Sequence, residues 1–174
     1  MRIMSHSLTG VSTTAAAVIG AVPVPFADAL ILAPLEIGMI NALARIYGIN
    51  KTDGSKMFID SIVKTGTVGI VAKTAISSIK TIPSVNIAAS VLNAIVAGTI
   101  VAALGQGSIY AFEQIHQGKK TVQDIDWVEK ILEAQILEKL PGLVKFISEN
   151  ITQASDMKAI VEIISDTFLG EGAK

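Results

Sequence analysis

Residues 23–48, PVPFADALILAPLEIGMINALARIYG, decide how this chain is read. Two prolines, Pro23 and Pro25, precede a run in which Leu32, Leu35, Met39, Leu43 and Ile46 return at three- and four-residue spacing. That spacing gathers them on one side of a helix, whereas a half-buried strand would alternate every second residue. Pro25 suits the first helical turn, where its missing N–H costs nothing. Gly48 supplies a C-terminal stop directly after Tyr47. The stretch predicts a helix from Phe26 to Tyr47, kinked near Pro34, where proline removes a backbone hydrogen bond.

Working outward, the Ala-rich segment from Leu8 to Ala21 predicts a first helix, ended by Pro23-Val24-Pro25. A third helix is expected from Asp53 to Ile82, closed by Pro83, and a fourth from Val85 to Gln117. The wealth of Val and Ile would by itself favour strands, but small residues recur at four-residue spacing. Ser90, Ala94, Gly98 and Ala102 form such a seam on the fourth helix, and Ala16 and Gly20 repeat it on the first. A seam of small side chains lets a second helix approach closely. It serves a tightly packed soluble bundle and a membrane oligomer equally well. Val85–Leu104 is uncharged and long enough to cross a hydrocarbon core. Asn86, Ser90, Asn93 and Thr99 lower its apolarity, and no aromatic belt flanks it. Lys64, Lys73 and Lys80 punctuate the preceding helix, where a mid-span lysine is expensive.

The 174 residues are 51% hydrophobic, with a mean hydropathy of +0.57. A net charge of −1 excludes the basic footprint of a nucleic-acid binder. Without cysteine there is no disulfide, thiol nucleophile or thiolate metal site. The first ten residues have no clean signal-peptide layout. Charge is uneven: 12 of the 29 charged side chains fall in residues 1–117 and 17 in residues 118–174. The shift divides the chain into an apolar helical core, 1–118, and an amphipathic helical tail, 119–174, packed on it. Gln117-Gly118-Lys119-Lys120 marks the boundary as a helix stop. In the tail, Thr121 and Asp124 resemble a capping box with Asp in place of Glu. Ile125, Val128, Ile131, Leu132 and Ile136 form an apolar face, Pro141-Gly142 breaks that helix, and Leu143, Phe146 and Ile147 begin another. Met157, Ile160, Val161, Ile164 and Phe168 make a last stripe, stopped by Gly170. The expected fold is all-α: a compact bundle of long apolar helices, arranged as two hairpins, followed by shorter amphipathic helices.

Motifs for chemistry are nearly absent, and no cofactor or metal is expected. His6 and His116 have no supporting constellation. Asn50-Lys51-Thr52-Asp53 matches the guanine-recognition tetrapeptide of GTPases, but the chain has no phosphate loop, so it reads as a loop and helix cap. Asn150-Ile151-Thr152 spells a glycosylation sequon, which would carry no meaning if the protein is bacterial and cytosolic, as expected. Asp28 and Glu36, eight residues apart, fall within one quadrant of the second helix. Paired carboxylates suit acid–base catalysis. Capping by Asp28 at the helix N-terminus, or an ion pair to Lys64 or Lys73, explains them without it.

The stretch 23–48 resembles the signature of domain-of-unknown-function family 697. The matching residues are Pro23, Pro25, Asp28, Met39, Tyr47 and Gly48, and the resemblance runs on through Gly105 to the Gln117-Gly118-Lys119 break, over roughly residues 5–140. The family usually carries Gln where this chain has Glu36. It is a helical family often found behind Era-like GTPase domains and in membrane-associated proteins. The resemblance implies a GTPase-linked or membrane-linked helical module. The expected function is a noncatalytic module, not an enzyme, that associates with a membrane on its cytoplasmic side and/or couples to a GTPase-type partner. Alternatives are a small integral membrane protein that forms a homo-oligomer on the Ser90–Ala102 seam, and, more remotely, an enzyme using Asp28 and Glu36.

Overall fold

In the computed structural model, residues 1–20, 27–49, 53–65, 89–150 and 157–170 are described. Among them the protein is all-α, with six helices. These are α1 (Arg2–Gly20), α2 (Ala27–Ile46), α3 (Asp53–Thr65), α4 (Ala89–His116), α5 (Ile125–Asn150) and α6 (Met157–Leu169). The 28-residue α4 is the axis of the bundle, and α1, α2, α5 and α6 all pack against it. Flanked by α2 and α6, α1 lies along α4, while α3 bridges α2 and α5.

The two main helix stops form as the glycines predict. Gly48 and Gly118 adopt φ of 71° and 69°, a left-handed conformation that only glycine takes at no steric cost. At the first, the Ile49 N–H reaches the Ala44 carbonyl (2.9 Å) and the Gly48 N–H the Arg45 carbonyl (3.1 Å). At the second, Lys119 bonds to Gln114 (2.9 Å) and Gly118 to Ile115 (2.9 Å). Both are Schellman closures, which satisfy carbonyls that a helix end would otherwise leave open.

Three expectations need correction. The first helix begins at Arg2 rather than Leu8, and Arg2 pairs with Glu113 near the far end of α4. Pro141 does not break its helix. Instead, α5 runs unbroken from Ile125 to Asn150 with Pro141 inside it. An interior proline costs about 3 kcal/mol, and here the buried side chains of Leu140 and Leu143 on either side hold the helix to the core. Thr121 and Asp124 build a turn before the helix instead of a capping box. The Asp124 carboxylate accepts from the Thr121 N–H (2.8 Å) and hydroxyl (3.1 Å), and α5 starts one residue later.

One hydrophobic core joins core and tail segments. Leu32, Ile40 and Leu43 from α2, Phe58 from α3 and Ile95, Leu104 and Phe112 from α4 belong to it. So do Val128, Leu132 and Leu140 from α5 and Ile160, Ile164 and Phe168 from α6. The expected helical residues 66–82 and 85–88 lie outside the described residues.

Candidate functional site

The feature that sets this bundle apart is α1. Its buried face consists of Ser5, Thr9, Ser12, Thr13, Ala16 and Ala17. Its outward face carries Ile3 (84% exposed), Met4 (65%), Val11 (70%) and Val18 (53%), with Ser7 and Thr14 between them. A surface helix in water ordinarily does the reverse. Two of the inward hydroxyls are accommodated by the helix itself: Ser5 donates to the Met1 carbonyl (3.1 Å) and Thr9 to the Ser5 carbonyl (3.0 Å), whereas the buried Thr13 hydroxyl has no hydrogen-bond partner among the described residues. Such bonds to the residue four positions back satisfy the hydroxyl without an outside partner.

Small inward side chains let α1 lie close on α4. The two run antiparallel: Ala17 faces Gly98, Thr9 faces Gly105 and Arg2 faces Glu113. A Cβ on Gly98 would stand 3.3 Å from the Ala17 Cβ and 2.9 Å from the Ile164 Cδ1 of α6. Ala94 and Ala102 are buried along with Gly98, so this part of the seam is filled from within the same chain. Ser90 lies in the first turn of α4, and its side chain is outside the described residues. The partners Ser5, Thr9 and Thr13 escaped the sequence reading. Their signal was there, because Ser5, Thr9, Thr13 and Ala17 keep the same four-residue spacing with hydroxyl side chains in place of Ala and Gly.

A polar clasp closes the seam at the Arg2 end. The Arg2 guanidinium grips the Glu113 carboxylate bidentately, Nε to Oε1 at 2.6 Å and the terminal nitrogen to Oε2 at 2.9 Å. The buried Tyr47 hydroxyl donates to the same Oε1 at 3.2 Å. The Tyr-Gly that ends the motif stretch therefore ties α2 to this clasp. The hydrogen bond from Arg2 holds the Glu113 carboxyl below its ordinary value of 4.5, against the opposing effect of burial. His6, one turn along α1, is held below 6.5 by burial and by the Arg2 charge. In both cases the unfolded chain binds the proton more readily, so stability falls as pH falls. The loss begins as pH drops through 6.5 for His6 and continues below 4.5 for Glu113. Melting temperature measured against pH should thus show an acid limb, and Arg2→Ala should flatten it below pH 4.5. An unchanged slope in that variant would count against the clasp.

The other candidate residues are distributed as follows. Met39 is buried in α2, and Glu36 is completely buried there. Asp28 occupies the first turn of α2. Lys64 is exposed near the end of α3. Pro23, Pro25, Asn50 to Thr52 and Lys73 lie outside the described residues. A separate cavity of about 450 Å³ lies between α5 and α6, lined by Lys139, Leu143, Phe146, Ile163, Asp166 and Thr167. Lys139 spans it structurally: its Nζ donates to the Thr167 carbonyl (3.0 Å) and sits 5.4 Å from the Phe168 ring centroid. Among the described residues one helix, over Leu92–His116, is long and apolar enough to cross a membrane, and 83% of its apolar window is buried in the bundle.

The fold is thus an all-α bundle organised by a close α1–α4 seam. Residues 6–136, most of the chain, match the family described as Domain of unknown function (DUF697), and the chain belongs to that family. The match ends within α5, so α6, which places Ile164 against Gly98, lies beyond it. No curated protein and no solved structure matches the chain.

Proposed function

We propose that this protein is a noncatalytic helical module that associates with a membrane on its cytoplasmic side and couples a GTPase-type partner to it. The observation that carries the membrane half is the inversion of α1, with hydroxyls and alanines inside and Ile3, Met4, Val11 and Val18 outside. Small residues between helices and large apolar residues outward are the arrangement expected next to lipid. The GTPase half rests on the family resemblance. Without a phosphate loop in this chain, nucleotide chemistry belongs to the partner.

The integral reading draws on the length and apolarity of Leu92–His116. Against it stands the packing of that helix, which α1, α2, α5 and α6 surround. A homo-oligomer built on the Gly98 seam would have to displace both Ala17 and Ile164. Detergent-free fractionation of cells producing the chain separates these readings. Recovery with membranes, released without detergent, is the expected result. Recovery in the soluble fraction alone would contradict the proposal, and strict dependence on detergent would favour the integral reading.

A further inference from the structure

We infer that the outward face of α1 is the membrane-contacting surface, and that it takes the uncharged acyl and interfacial region of a bilayer rather than anionic headgroups. The inference rests on the membrane reading above and specifies its site and chemistry.

The face follows one helical line: Ile3, Ser7, Val11, Thr14 and Val18 stand four, four, three and four residues apart, with Met4 beside them. Nothing on it is charged. Arg2 is the only residue of α1 that carries a full charge at neutral pH, and both its nitrogen contacts go to Glu113. His6, half-buried near that pair, binds its proton less readily than a free imidazole. A surface built for anionic lipid presents a row of lysines or arginines on its polar flank. α1 itself carries none besides the paired Arg2, so salt has little to screen on this face.

The size of the face argues against a second copy of the chain as its cover. A 19-residue helix is about 28 Å long and about 10 Å wide, which exposes on the order of 300 Å² along one side. A stable dimer needs about 800 Å² from each partner. Insertion into a bilayer has no such threshold, because each apolar side chain that leaves water contributes separately. The helix lies along the bundle instead of projecting from it, so the geometry is that of a helix resting in the plane of the interface.

The absence of native cysteine makes the test direct. Val11→Cys on α1 and Ala134→Cys on α5 are both at exposed positions, and α5 is not among the helices that flank α1. Each purified full-length variant is labelled with an environment-sensitive fluorophore and mixed with vesicles of phosphatidylcholine alone or with added phosphatidylglycerol. Salt is raised from about 0.1 M to about 1 M. The expected result is a blue shift at Val11 on neutral vesicles, unaltered by salt or anionic lipid, and none at Ala134. Four outcomes overturn the inference. Binding that needs anionic lipid or fades with salt refutes the neutral chemistry, and a shift at Ala134 without one at Val11 refutes the face. Both leave the membrane reading standing. A blue shift at Val11 that grows with protein concentration in the absence of vesicles assigns the face to a second copy. No association with any vesicle removes the inference and the membrane reading together.

Discussion

Replacing Gly105 with leucine is expected to be among the most damaging single changes in this protein. A Cβ at that position would stand 2.8 Å from the Thr9 hydroxyl oxygen and 3.0 Å from the Thr9 Cβ. Thr9 is short, branched and held by its bond to the Ser5 carbonyl, so it cannot swing aside as a long side chain could. Leucine would push α1 off α4 along the seam. Overpacking of this kind costs about 3 kcal/mol at the upper end of its usual range. For a chain of this size that lowers the melting temperature by roughly 6–12 °C. Gly98→Leu should be milder, because the nearest atom there is the far end of the Ile164 side chain. Gly142 in α5 is the control: nothing lies within 4 Å of its Cβ position, so Gly142→Ala should stabilise by up to about 1 kcal/mol through helix propensity alone. A Gly105→Leu protein that melts with or above wild type would show that α1 does not sit closely on α4.

Phe112→Ala should be comparably severe for a different reason. Phe112 is fully buried in α4, its ring centroid 6.3 Å from that of Tyr47 in the turn closing α2 and 6.1 Å from that of Phe58 in α3. It is the side chain through which three segments meet. Truncation removes aromatic packing on both sides and leaves a cavity that the rigid neighbours cannot fill. The expected loss is about 3–5 kcal/mol, measured by equilibrium urea unfolding. Phe112→Leu, which keeps more of the volume, should retain a good part of it. A loss below about 1 kcal/mol for Phe112→Ala would mean that the junction is loosely packed.

Much of this architecture is legible without coordinates, and the reason is local. The C-terminal end of α2, the stops at Gly48 and Gly118 and the burial of Ile160, Ile164 and Phe168 follow from helical periodicity and from glycine's access to positive φ. These are properties of a few adjacent residues. What the chain hides is long-range. Nothing near Arg2 or Glu113 announces that residues 111 positions apart will pair. The early start of α1 also went unread. Pro141 is the opposite case: the local rule is correct, but burial of Leu140 and Leu143 overrides it. The seam was half legible. Its α4 side, Ala94, Gly98 and Ala102, follows from the four-residue rule, while its α1 side is written in Ser and Thr, which ordinarily mark exposed or capping positions. Reading those hydroxyls as outward would also have turned Ile3, Val11 and Val18 inward and concealed the inversion of α1 altogether.

That inversion is the centre of the account, and vesicle flotation tests it most directly. Wild-type protein and the double variant Val11→Glu/Val18→Glu are mixed with neutral phosphatidylcholine vesicles and centrifuged through a density gradient. Both positions are exposed, so the double variant should melt within a few degrees of wild type. The account predicts that wild type floats with the vesicles and that the double variant remains at the bottom. Wild type that stays at the bottom, or a double variant that floats equally well, would contradict it.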